Sequence, residues 1–197
     1  MQFILTDLQK EIKENAEKLL SEKIDLLETI KKVDEDVRLD SELWKLVNEQ
    51  GWLALDVPEE DGGLGFSAVD ASILSEVSGY YLPIIPLLSS GIVFKHLLLN
   101  SNDDIKNKYL PEIISGEKIG SFGVYENDKY EINNESIQTS LISSKDGLIL
   151  SGTKKYVMFG DTSDYLAVLA KDGSNFKFVF IKTSDEGVQV TNTPSLD

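Results

Sequence analysis

The spacing of apolar residues changes once along the chain, and that change does most to limit the folds open to it. Up to Gly116 the apolar residues recur every three or four positions, as in helices that bury one face. From Lys118 onward they fall in short runs rich in β-branched and aromatic residues, the texture of strands. With 197 residues the chain can bury one large core or two small ones. The expected fold is α+β: an all-α N-terminal helical domain over residues 1–117, then an antiparallel β-sheet or barrel domain over residues 118–197.

Within the first half, Thr6 and Gln9 have capping-box spacing, and Leu8, Ile12, Ala16, Leu19, Leu20, Ile24 and Leu27 form one long helical stripe. A second helix is predicted from Asp40-Ser41 through Leu43, Trp44 and Val47 to a stop at Gly51. Val57-Pro58-Glu59-Glu60-Asp61-Gly62-Gly63-Leu64-Gly65 reads as a tight loop. Ser67 caps a third helix carrying Val69, Ile73 and Val77, which Gly79 should close. Leu87 to Leu99 is a nearly continuous apolar helix, expected at the centre of the helical core, with His96 packed or partly buried in it and given no chemical role. Asn102 or Asp103 starts a last helix that ends at Gly116. Strands are expected at Gly120–Tyr125, Ser136–Ser143, Leu148–Leu150, Lys155–Phe159, Tyr165–Ala170, Phe176–Ile181 and Val188–Thr191, with turns at Lys145-Asp146-Gly147 and Lys171-Asp172-Gly173-Ser174.

Composition removes several function classes. Nineteen basic against 34 acidic residues give a net charge of −15, which repels nucleic acid and anionic membrane surfaces. Cysteine is absent, so disulfides, thiolate catalysis and cysteine-bound metals are excluded. No stretch approaches the ~20 apolar residues of a membrane span. The start lacks a basic region ahead of an apolar run, so a cytoplasmic location is expected. The glycine-rich loop lacks the Gly-Lys-Ser or Gly-Lys-Thr ending of a phosphate loop, and Glu59, Glu60 and Asp61 are read as solvated rather than metal-ligating. Trp44 and Trp52 are read as core residues.

Several patches, taken in order, resemble the acyl-CoA dehydrogenase family. They are Gly51-Trp52, Val57 to Gly65, the helix holding Glu76, Tyr109-Leu110-Pro111 with Ser115-Gly116-Glu117, and Asp146-Gly147-Leu148-Ile149-Leu150-Ser151-Gly152-Thr153-Lys154. Thr162-Ser163-Asp164-Tyr165 and Gly187-Val188 continue in register. The resemblance implies a helical N-terminal domain and a β middle domain of a flavoprotein that oxidises acyl-CoA to enoyl-CoA with FAD. It also implies an oligomer, homomeric or heteromeric, and an electron-transfer partner. The family's catalytic carboxylate lies in a C-terminal helical domain without counterpart here, so no residue is assigned as base and the chain alone is expected to be inactive. Because it ends at Thr193-Pro194-Ser195-Leu196-Asp197, inside an unfinished β domain, an excised piece, a proteolytic product or a truncated gene is expected.

The same resemblance places cofactor contacts on two stretches. Val124-Tyr125-Glu126-Asn127-Asp128-Lys129 stands where the family has Leu-Thr-Glu and then Gly-Ser-Asp; Glu126 keeps the pattern, Tyr125 takes the hydroxyl position and Gly-Ser-Asp has no match. Tyr156-Val157-Met158-Phe159-Gly160 stands where the family has an aromatic, Ile, Thr or Ser, Asn and Gly, with Met158 in place of the hydroxyl. Val124, Tyr125, Glu126, Tyr156, Val157 and Met158 are thus the candidate FAD-binding residues. A non-catalytic partner subunit or binding module with the same scaffold and a degenerate FAD site is the alternative that these departures leave open.

Overall fold

The computed structural model describes residues 4–127, 132–133, 135–145 and 147–193. Helix α1 (Asp7–Lys23) starts on the expected Thr6–Gln9 capping box. The stripe expected to reach Leu27 stops at Ile24, because the Asp25 carboxylate accepts the amides of Leu27 and Glu28 and caps a separate helix, α2 (Leu26–Asp34). Leu26, Leu27, Ile30 and Val33 are all exposed on α2. Helix α3 (Ser41–Glu49), capped by Asp40, buries Leu43, Trp44 and Val47 as expected.

Residues 51–66 then fold over themselves. Gly63 lies against the Val57 backbone, where a Cβ would stand 2.1 Å from the Val57 carbonyl oxygen, so only glycine fits. Asp61 does not simply face solvent, since Lys106 Nζ lies 2.8 Å from its carboxylate. Helix α4 (Ala68–Tyr81) has a Ser67–Asp70 capping box. It passes Gly79 and ends where Leu82 takes a left-handed φ of 53° ahead of Pro83. The apolar run divides into a π-helix (Leu87–Phe94) and α5 (Lys95–Leu99), and α6 (Asp103–Ile114) follows from its Asn102 cap.

Strands β1 (Gly120–Gly123), β2 (Ser140–Ser144), β3 (Gly147–Ser151), β4 (Tyr165–Asp172) and β5 (Asn175–Lys182) form one sheet around β4. β5 pairs antiparallel with β4 over its full length, and β2 pairs antiparallel with β3. β1 runs parallel to β4 through Gly120↔Tyr165 to Gly123↔Val168, and β2 touches β4 in parallel at Ser140↔Lys171. The sheet is therefore mixed and open, not wholly antiparallel and not a closed barrel. The cause is the long excursion after β1, which lets β4 enter in the direction of β1, whereas a hairpin would have reversed it. Lys155–Phe159 is not a strand, because Tyr156 and Phe159 take left-handed φ values of 57° and 52°. Val188–Thr191 has no strand pairing either. The Lys145-Asp146-Gly147 turn centres on Asp146, which, like Asp128, Lys129 and Pro194 to Asp197, lies outside the described residues.

One apolar cluster joins Ala16, Leu20, Trp44, Val47 and Leu74 of the helices with Trp52 and Leu53 of the segment after α3. A second crosses from helices to sheet, packing Val57, Phe94, Leu98, Leu110 and Ile113 against Tyr165 and Ala167. Edge-to-face pairs Phe94–Phe180 and Tyr109–Tyr165, with centroids 5.7 and 4.9 Å apart, sit on that seam. Gly120 makes the approach possible, since a Cβ there would lie 2.1 Å from the Phe94 ring. Its amide donates to buried Ser90 Oγ at 3.0 Å.

Candidate functional site

Beyond the end of β1 the chain runs beside the segment that follows β3, and the two hold each other in place. The Lys155 amide donates to the Tyr125 carbonyl at 2.8 Å. Lys154 Nζ donates to the Val124 carbonyl at 3.1 Å and to Glu126 Oε1 at 2.5 Å, with both charged side chains buried. The Glu126 carboxylate also accepts the Gln138 amide at 2.6 Å and the Thr139 amide at 3.0 Å. Burial pushes this carboxyl up, but its hydrogen bonds from Lys154, Thr139 and Gln138 together outweigh burial and hold it below its ordinary value. Burial likewise lowers the Lys154 ammonium, against the opposing pull of Glu126. Glu126 thus pins the 124–127 segment to the start of β2. Val124 and Tyr125 are half-buried beside it.

The second segment is a tight turn with its carbonyls drawn inward. Ser121 Oγ donates to the Met158 carbonyl at 2.5 Å, the Gly160 amide to that of Val157 at 3.1 Å, and the Thr162 amide and Ser163 hydroxyl to that of Phe159 at 3.2 and 2.6 Å. Among the described residues, no acceptor meets the amides of Val157, Met158 and Phe159. Tyr156 and Met158 expose 54% and 44% of their surface on the same turn, and Val157 tucks beneath, against Gly123 and Gly160. Three consecutive donors beside an aromatic ring and a thioether suit a planar ligand whose edge carries acceptor atoms. Arg38, the sole arginine of the sequence, ties the helical half to this turn through Asp161 at 3.8 Å and to Asn192 Oδ1 at 2.7 Å.

The six residues singled out from sequence therefore lie on two adjoining segments. Reading the sequence did not find Ser121, Lys154 or Ser163, which shape those segments. The signal for Ser121 was weak but present: a hydroxyl at a core-facing position of the predicted strand Gly120–Tyr125 needs a partner. Nothing local marks Lys154, whose carboxylate partner is 28 positions away.

A second polar cluster lies beneath the loop at 51–66. Lys95 Nζ donates to the Leu53 carbonyl at 3.0 Å and pairs with Asp56, the two side chains being 1% and 3% exposed. His96, partly buried as expected, places Nε2 3.3 Å from the other Asp56 oxygen and Nδ1 2.9 Å from the Ile92 carbonyl, so it also meets a buried carboxylate. Burial holds the Lys95 ammonium below its ordinary value, partly offset by Asp56.

Residues 6–117 match the family model of the acyl-CoA dehydrogenase N-terminal domain. The chain belongs to the acyl-CoA dehydrogenase family. Mitochondrial isovaleryl-CoA dehydrogenase of Solanum tuberosum is 29% identical over 176 residues, covering 86% of this chain and 42% of that protein. The very long-chain specific acyl-CoA dehydrogenase of Homo sapiens is 32% identical over 133 residues, covering 65% and 20%. Butyryl-CoA dehydrogenase of Megasphaera elsdenii superposes with a TM-score of 0.80 at 22% identity, over 95% of this chain and 51% of that one. A chain of the ChsE4-ChsE5 complex from Mycobacterium tuberculosis gives 0.85 at 22% identity, over 97% and 51%. This acyl-CoA dehydrogenase chain spans less than half the length of those curated relatives. No helix among its described residues is long and apolar enough to cross a membrane.

Proposed function

We propose that the chain forms the helical N-terminal unit (1–117) and the β unit (118–197) of an FAD-dependent acyl-CoA dehydrogenase that converts acyl-CoA to enoyl-CoA. The observation that carries this reading is the row of amides at Val157, Met158 and Phe159 that meet no acceptor among the described residues, beside exposed Tyr156 and Met158, on a member of this family. Backbone donors of this kind fit the carbonyl-bearing edge of a flavin, and the Tyr156 ring and Met158 thioether fit its apolar face. FAD, when bound, supplies the hydride acceptor for the reaction. Glu126 and Lys154 orient the 124–127 segment toward the same surface, and Ser121 and Ser163 orient the turn. No residue here is assigned as the base that takes the α proton, so the 197-residue chain alone is expected to form no enoyl-CoA. The active form pairs with an electron-transfer partner and assembles as a homo- or hetero-oligomer. The test is the visible absorbance spectrum of the purified protein before and after adding FAD. A retained flavin band supports the reading, and a colourless protein that takes up no FAD overturns it.

One observation favours a second reading. Met158 cannot donate a hydrogen bond from the position where the family pattern has a hydroxyl, which fits a non-catalytic subunit held beside an active, flavin-bearing dehydrogenase. Stable co-purification of a flavin-free chain with such a partner would select this alternative.

A further inference from the structure

We infer that Ser121 is a positioning residue whose hydroxyl sets the direction of the amide row at 157–159; this inference rests on the flavin reading only for what the row binds. Ser121 is fully buried on β1, and its hydroxyl reaches across to the Met158 carbonyl at 2.5 Å. Met158 stands between two left-handed residues, Tyr156 and Phe159, a backbone that costs energy at each and persists only where surrounding contacts hold it. Phe159 has its own hydroxyl and amide partners in Ser163 and Thr162, and Val157 has the Gly160 amide. Among the described residues the Met158 carbonyl has Ser121 alone, so this hydroxyl fixes the peptide plane at the middle of the row.

With that carbonyl fixed inward, the amide of the same peptide plane, that of Phe159, is turned the opposite way, away from Ser121. Without the hydroxyl, the carbonyl loses its buried donor and the plane can rotate, scattering the three donors. A ligand would then have to order them on binding, which costs affinity. β1 itself stays in place, because its register with β4 and the Gly120–Ser90 hydrogen bond do not involve Ser121 Oγ.

The experiment compares the parent chain with Ser121→Ala and Ser90→Ala; the latter removes a buried hydroxyl of the π-helix that accepts the Gly120 amide at the start of β1, away from the turn. Backbone 15N order parameters are measured at 157–159 without FAD, and FAD affinity is then measured by fluorescence titration. Ser121→Ala is expected to lower the order parameters from about 0.85 to below about 0.6 and weaken FAD binding about tenfold, with Ser90→Ala changing neither. Unchanged order parameters in Ser121→Ala, or equal losses in both variants, would overturn the inference. A parent chain that takes up no FAD defeats the flavin reading instead, and the order parameters still decide the role of Ser121.

Discussion

Replacing Asp56 with alanine strips the buried Lys95 ammonium of its carboxylate. Lys95 is 1% exposed and would keep only the Leu53 carbonyl at 3.0 Å, whereas His96 is 40% exposed and can turn to water. Breaking a buried pair from one side costs about 3–5 kcal/mol. Deprotonation sets a ceiling. Shedding a proton at pH 7 from a group whose ordinary value is 10.5 costs about 5 kcal/mol at ~1.4 per unit. The expected loss is therefore about 3–5 kcal/mol at pH 7. It should shrink to about 1–2 kcal/mol at pH 10, where the ammonium sheds its proton for well under 1 kcal/mol and only a neutral hydrogen bond is missing. Urea unfolding followed by far-ultraviolet circular dichroism reads both values, and a slope of about 1–3 kcal/mol per molar makes the pH 7 shift more than 1 M. Asp56→Ala/Lys95→Met should recover most of the loss, since no charge is then stranded. A deficit below about 1 kcal/mol at pH 7, or one of equal size at pH 10, would refute the reasoning.

Acid should also act through named groups. Glu126 is held below 4.5 by Lys154, Thr139 and Gln138 against the larger single push of burial, and Asp70 is held below 3.8 by Ser67 and Gln9. A depressed folded-state value means the unfolded chain binds the extra proton first, so stability is full above these ordinary values and falls as pH drops through them. Glu126→Gln should flatten that decline in urea midpoints measured from pH 6 to pH 3. Gly120→Ala, which drives a Cβ into the Phe94 ring, should cost about 1–3 kcal/mol or more by the same unfolding assay. Met158→Thr restores a hydroxyl donor beside the amide row and should tighten FAD binding several-fold in a fluorescence titration.

Where structure depends on neighbours in sequence, it was legible. The Thr6–Gln9 box and the Ser67 and Asn102 caps all follow from side chains within a few positions of the backbone they satisfy. Asp25 was local too, yet it lay inside an unbroken apolar stripe, and its choice of cap over helix interior ended α1 early. The left-handed turn at Tyr156 and Phe159 was not legible, because hydroxyls from Ser121 and Ser163 sustain a backbone that the β-rich Lys155–Phe159 composition would not choose. The parallel pairing of β1 with β4 was hidden for a related reason: strand direction depends on the path of a long connection, not on strand composition. For the candidate site, the two segments were visible through resemblance, but the buried Glu126–Lys154 pin and the Asp56–Lys95–His96 cluster depend on partners tens of residues apart.

The seam where Phe94, Leu98, Leu110 and Ile113 meet Tyr165 and Ala167 leaves neither half with a wall of its own. Severing the chain between α6 and β1 would bare oily surface on both products, so the scissors that suit a beads-on-a-string protein do not suit this one. Heat should likewise find no weak joint between helices and sheet, and the two should melt together in a single step.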